Sequence, residues 1–143
     1  DLSAIPERQV TVDCDVIQAD GGTRTASICG GFIALHDAFT RMISAGKMAN
    51  HPIEEELAAV SVGVVDGEVC LDLPYVEDST AEVDLNVVMT SSGKFVEVQG
   101  TAEDGPFERK SLEEMLDAAA VGITEITEAQ RSLLSTPPVE RAN

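Results

Sequence analysis

Residues 58–100 carry one design written twice, and it leaves few folds open. AAVSVGVVDGEVCLDLPYV sets two short β-branched runs on either side of Asp66-Gly67, the dipeptide favoured in tight hairpins. DLNVVMTSSGKFVEVQG follows the same plan. Val83, Leu85, Val87 and Met89 alternate, Ser91-Ser92-Gly93 turns the chain, and Phe95, Val96 and Val98 return. Two consecutive hairpins predict an antiparallel sheet. Next comes a helix with Leu112, Met115, Leu116, Ala119, Ile123, Ile126 and Leu133 on one stripe. Ser111 with Glu114 reads as its capping box, after Pro106.

Upstream the pattern is different. In RQVTVDCDVIQ, residues 8–18, Val10, Val12, Cys14 and Val16 alternate with Thr11, Asp13, Asp15 and Ile17, which predicts a strand. Asp20-Gly21-Gly22 is a turn signal. From Thr23 the period lengthens. Ile28, Phe32, Leu35, Phe39 and Met42 predict a buried amphipathic helix ending near Gly46, with His36 a packed histidine on the stripe. Gly30 and Gly31 inside that helix suggest close approach of another backbone. Residues 47–57 read as a linker and STPPVERAN as a disordered tail. Strand, helix and then hairpins is an α+β order. A lone strand and helix have no sheet to complete, so the first segment reads as the back half of a domain.

With 26 acidic against 9 basic residues the net charge is −17, a field that repels nucleic acid. An RNA substrate would therefore need positive charge from elsewhere. No apolar run approaches the ~20 residues of a membrane span. Cys14, Cys29 and Cys70 match neither a zinc knuckle nor a disulfide framework, and read as reduced cytosolic cysteines.

Two constellations carry chemistry. The first is QADGGTRTASI, residues 18–28. Leading N–H groups of a helix lack partners and carry the positive end of its dipole. Gly21 and Gly22 let the backbone approach an anion, Thr23 adds a hydroxyl and Arg24 a guanidinium fork. The same residues equally suit a plain turn, with Thr23 or Thr25 as N-cap and Arg24 paired to Asp20. The segment lacks the Lys-Ser/Thr ending of a nucleotide-binding P-loop. The second constellation is EDSTAEVDLNV, residues 77–87, where Asp78, Glu82 and Asp84 are concentrated. Such carboxylates suit Mg, which takes one or two of them and keeps its waters, or general-acid work. Solvated loop acids are the alternative.

VDCDVIQADGGTRTASICGGFIAL, the VSVGVVDGE run and EDSTAEVDLNVVMTSSGKFVEVQGTAEDGPF together resemble the ribonuclease PH family of phosphate-dependent exoribonucleases, from about Glu7 to Leu134. The resemblance implies that Gly22, Thr23 and Arg24 bind inorganic phosphate as co-substrate. It also implies that Asp78 and Asp84 bind Mg or protonate the leaving group. It divides the chain into residues 1–50, the back half of a βαβ-rich ribosomal-protein-like domain, and residues 51–134, a smaller α+β domain, before the tail at 135–143. Expected from it are trimming of tRNA 3′ ends with release of nucleoside diphosphates, RNA processing more widely, a cytoplasmic location and a hexameric ring built as a trimer of dimers. It further implies an upstream half, supplied by another segment or chain, that brings the basic RNA-contacting surface. The competing expectation is a non-catalytic subunit of an exosome-like ring, which has no need of all five site residues.

Overall fold

Both predicted hairpins form. The computed structural model describes residues 1–103 and 105–141. In it β1 (Leu57–Val65) pairs antiparallel with β2 (Glu68–Leu71), and β3 (Val83–Thr90) with β4 (Phe95–Ala102). β1 also pairs antiparallel with β3, so the sheet runs β2-β1-β3-β4. Asp66 and Gly67 hold φ of 51° and 79°, the two positive values a two-residue hairpin loop of matching twist requires. Helices α1 (Thr23–Ser44), α2 (Tyr75–Asp78), α3 (Arg109–Leu134) and α4 (Pro138–Arg141) complete the described elements, with a single 3-10 turn at Leu2–Ala4.

The strands alternate, and that alternation assigns the two faces. Ala58, Val60, Val62 and Val64 of β1 and Val83, Leu85, Val87 and Met89 of β3 turn to one side, under Met115, Ala119 and Ile123 of α3. The valine, leucine, isoleucine and methionine side chains among them contribute roughly 1.5–3 kcal/mol each when fully buried. α1 crosses the other side. Its N-cap Gly22 lies against Ser61 of β1, Arg24 reaches Glu97 of β4, and Cys29 bonds Ala59 in the stretch of β1 that β2 leaves unpaired. There the Cys29 thiol donates to the Ala59 carbonyl at 3.2 Å and accepts from the Ala59 amide at 3.3 Å. Burial pushes that thiol above its ordinary pKa. His36 packs as expected, its ring centroid 4.3 Å from that of His51 and beside Phe32.

Four expectations need correction. Residues 8–18 form no strand. Their alternation does place Val12 and Cys14 on α1, beside Gly31. Among the described residues, however, no strand lies alongside to complete a ladder, and Val10, Val16 and Ile17 stay exposed. The close approach assigned to Gly30 and Gly31 occurs instead at Gly21. A Cβ there would stand 2.0 Å from the Leu73 carbonyl oxygen, whereas one at Gly30 meets nothing within 4 Å and one at Gly31 meets only side chains. The Ser111–Glu114 capping box is absent. α3 starts earlier, at Arg109, without a side-chain cap, and its first turns are tied by Arg109–Glu113 at 2.8 Å and Lys110–Glu114 at 3.1 Å. Finally, part of the tail is ordered. Pro138–Arg141 is helical and Arg141 pairs with Asp37 of α1, while residues 142 and 143 lie outside the described residues.

The linker is anchored where it enters β1. Arg131 of α3 grips Glu56 with Nε at 3.1 Å and Nη2 at 3.0 Å. Those hydrogen bonds lower the Glu56 carboxyl from 4.5 to about 2. A depressed carboxylate stabilises the fold above its unfolded pKa, and the contribution is lost as pH falls through the folded one. Thermal unfolding should therefore shift down between about pH 4.5 and pH 2. Arg131→Met should flatten that part of the profile.

Candidate active site

The anion segment sits at a helix start with nothing capping it. Gly22 is the N-cap, in the left-handed region at φ 68°, and supplies no side-chain cap to the leading N–H groups of α1. Thr25 does not cap either. Its hydroxyl turns back to the Gly22 carbonyl at 2.8 Å, and the first helical bond runs from Ala26 to that same carbonyl at 2.9 Å. The leading N–H groups are thus left facing outward with the positive end of the dipole. Thr23 lines a recess of about 600 Å³ between residues 12–18 and α1.

Arg24 does not pair with Asp20. Its Nη2 lies 2.8 Å and 3.0 Å from the two carboxylate oxygens of Glu97, and both side chains remain part-exposed. One nitrogen is engaged, so the Nε–H and both Nη1–H donors take no partner among the described residues. Asp20 does something else. Its Oδ1 accepts the Tyr75 amide at 2.6 Å and the Gly21 amide at 2.8 Å. These two bonds, Tyr75 first, hold its carboxyl below the ordinary range.

Asp78 closes α2 and Asp84 is the second residue of β3. Both line one recess of about 520 Å³, with Ser79, Thr80, Ala81 and Glu103. Glu82, adjacent in sequence, is drawn off: its Oε1 accepts the Gly67 amide at 3.0 Å and fastens the first hairpin. Because Val83 and Leu85 point into the α3 core, Asp84 between them points to the α1 side. Register then places the parts on one face. Asp84 lies opposite Gly63 and Thr101, Asn86 opposite Ser61 and Gln99, and Val88 opposite Glu97. Gly22 sits over the middle of these rungs and Arg24 reaches the last. Four residues of β3, roughly 13 Å, separate the Asp84 rung from the Glu97 rung.

The two constellations therefore share a sheet face; Thr23 lines one recess, Asp78 and Asp84 another, and Asp20 bonds both the neighbouring Gly21 amide and the Tyr75 amide of α2. Sequence reading missed Glu97, Glu103 and the true partner of Asp20. Alternation in β4 puts Glu97, Gln99 and Thr101 on one side and could have exposed the first. No sequence signal marks a bond between residues 55 apart.

Among the described residues, no group of three or more His, Cys, Asp and Glu is arranged to hold a metal ion. Asp78 and Asp84 bring two carboxylates to one recess, the number that a largely hydrated Mg takes from a protein. No helix among the described residues is long and apolar enough to cross a membrane.

Residues 56–122 match the 3′ exoribonuclease family, domain 2. Along 141 residues the chain is 54% identical to a curated protein named ribonuclease PH from Corynebacterium kroppenstedtii, covering 99% of this chain and 56% of that protein. The chain thus spans about half the length of that relative. The crystal structure of rice (Oryza sativa) Rrp46 is similar in fold, with a TM-score of 0.64 at 19% identity, covering 84% of this chain and 51% of the other. Antiparallel hairpins, a closing helix, a second-domain match and identity along nearly the whole length agree: the chain belongs to the ribonuclease PH family.

Proposed function

We propose that this chain contributes the phosphate-binding and acidic parts of a phosphorolytic 3′→5′ exoribonuclease that trims tRNA 3′ ends. The observation that supports it most is the sharing of one sheet face by an uncapped, arginine-bearing helix start and a two-carboxylate recess. In this reading inorganic phosphate binds the N–H groups after Gly22, the Thr23 hydroxyl and the free donors of Arg24. One phosphate oxygen forms a bond to the phosphorus of the terminal nucleotide. The bond from that phosphorus to the preceding 3′ oxygen breaks, and that oxygen takes up a proton. The released product is a nucleoside diphosphate, and the RNA is one residue shorter.

Arg24 offsets the charge that keeps a phosphate dianion away from an anionic RNA backbone. Asp78 and Asp84 would hold Mg, which when bound offsets negative charge on the departing oxygen. In the alternative, Asp84 is protonated instead of holding Mg and gives the departing oxygen its proton. A chain of net charge −17 needs basic surface from outside these 143 residues to hold RNA, and a ring of subunits would supply neighbouring surfaces. A scaffold subunit has no use for an exposed arginine held beside an open helix start, which favours the catalytic reading. Release of nucleoside diphosphate only when phosphate is supplied tests it.

A further inference from the structure

One carboxylate oxygen, Asp20 Oδ1, joins the turn before α1 to the start of α2. On one side, Asp20 begins the turn that sets Gly21, Gly22 and Arg24. On the other, α2 runs from Tyr75 to Asp78. Its first turn is stiff, since the Glu77 and Asp78 amides both donate to the Pro74 carbonyl, at 3.0 Å and 2.9 Å. Fixing Tyr75 therefore fixes Asp78. The chain before α2 is pinned to β1, where the Leu73 amide donates to the Ser61 hydroxyl at 3.1 Å and the Asp72 amide to the Ser61 carbonyl at 2.8 Å. Gly21 lies so close to Leu73 that a Cβ would stand 2.0 Å from its carbonyl oxygen. With the backbones this near, the Asp20 Oδ1 takes one amide from each side.

We propose that Asp20 is a positioning residue for phosphorolysis, a single carboxylate oxygen that fixes the spacing between the Gly22–Arg24 segment and Asp78. The inference rests on the function proposed above. Hydrogen bonds to a charged acceptor are short and about twice as strong as neutral ones, which suits a joint exposed to water. Displacing reacting groups by about 1 Å can cost roughly a hundredfold in rate. A joint that slackens should therefore register in catalysis before it registers in folding.

The test compares Asp20→Ala, Asp20→Asn and Asp20→Glu in the full-length protein, with inorganic phosphate and RNA as substrates. Asparagine keeps an acceptor at the same reach. It should hold kcat/KM for phosphate within about threefold of wild type, while alanine loses roughly tenfold or more. Glutamate keeps the charge but moves the acceptor by one methylene, and should lose as much as alanine with an unchanged melting temperature. Amide hydrogen exchange at Tyr75 supplies a readout independent of activity. Exchange should quicken roughly ten- to a hundredfold in the alanine variant and not in the asparagine one. Unchanged Tyr75 exchange in Asp20→Ala, or wild-type kcat/KM in both Asp20→Ala and Asp20→Glu, overturns the inference. If the wild-type protein releases no nucleoside diphosphate, the proposed function fails, and Tyr75 exchange still decides whether Asp20 holds the joint.

Discussion

Arg24→Ala in the full-length protein should raise the phosphate KM by about a hundredfold, with RNA binding nearly unchanged. Loss of one or two charge-assisted hydrogen bonds, each worth about 1.5–3 kcal/mol net of exchange with water, accounts for a change of that size. The ion pair with Glu97 determines how the loss is distributed. Glu97 occupies Nη2 alone and aims the rest of the guanidinium, so the arginine is partly ordered before phosphate arrives. Arg24→Lys should recover only part of the binding, because an ammonium has the charge but not the fork. Steady-state kinetics over a range of phosphate concentrations at saturating RNA reads both effects. An unchanged phosphate KM in Arg24→Ala would place the anion site elsewhere.

Asp84→Asn should have the opposite signature, with kcat lower by about a hundred- to a thousandfold and phosphate KM within about threefold. The substitution preserves shape and removes charge and proton-transfer capacity. β3 provides a rigid mount: Asp84 is flanked by Val83 and Leu85, both buried under α3, so its direction is set by the strand and not by a mobile loop. Asp78, on a short helix, should tolerate conservative change less well for binding Mg than for folding. Single-turnover measurement at saturating phosphate isolates the chemical step. A fall in rate at low phosphate that disappears on raising phosphate would mean that Asp84 acts through binding.

How much of this was legible in the sequence varies with how local the cause is. The first hairpin was readable because Asp66 and Gly67 enforce their own turn. α1 was readable because Phe32 and Phe39 mark its buried face at helical spacing. The run at residues 8–18 has every local mark of a strand, but a strand is completed by a neighbour, and the described residues hold none beside it. The capping box failed for another reason. Ser111 and Glu114 have the right spacing, but Arg109 and Lys110 each find an acid four residues on, and the helix begins before the serine. At the site, residue types were readable and partnerships were not. Gly22, Thr23 and Arg24 are contiguous, so their grouping needed no fold. That Arg24 would meet Glu97 rather than Asp20, that Glu82 would leave the acid cluster for Gly67, and that Asp20 would bridge to Tyr75 all depend on how distant segments pack.

The central claim is that phosphate, not water, cleaves the terminal bond. The direct measurement is to incubate the full-length protein with RNA and isotopically labelled inorganic phosphate, and to identify the mononucleotide released by mass spectrometry. The account predicts nucleoside diphosphate carrying the label in its β-phosphate, and no release when phosphate is withheld. Unlabelled nucleoside monophosphate, formed whether or not phosphate is present, would contradict it.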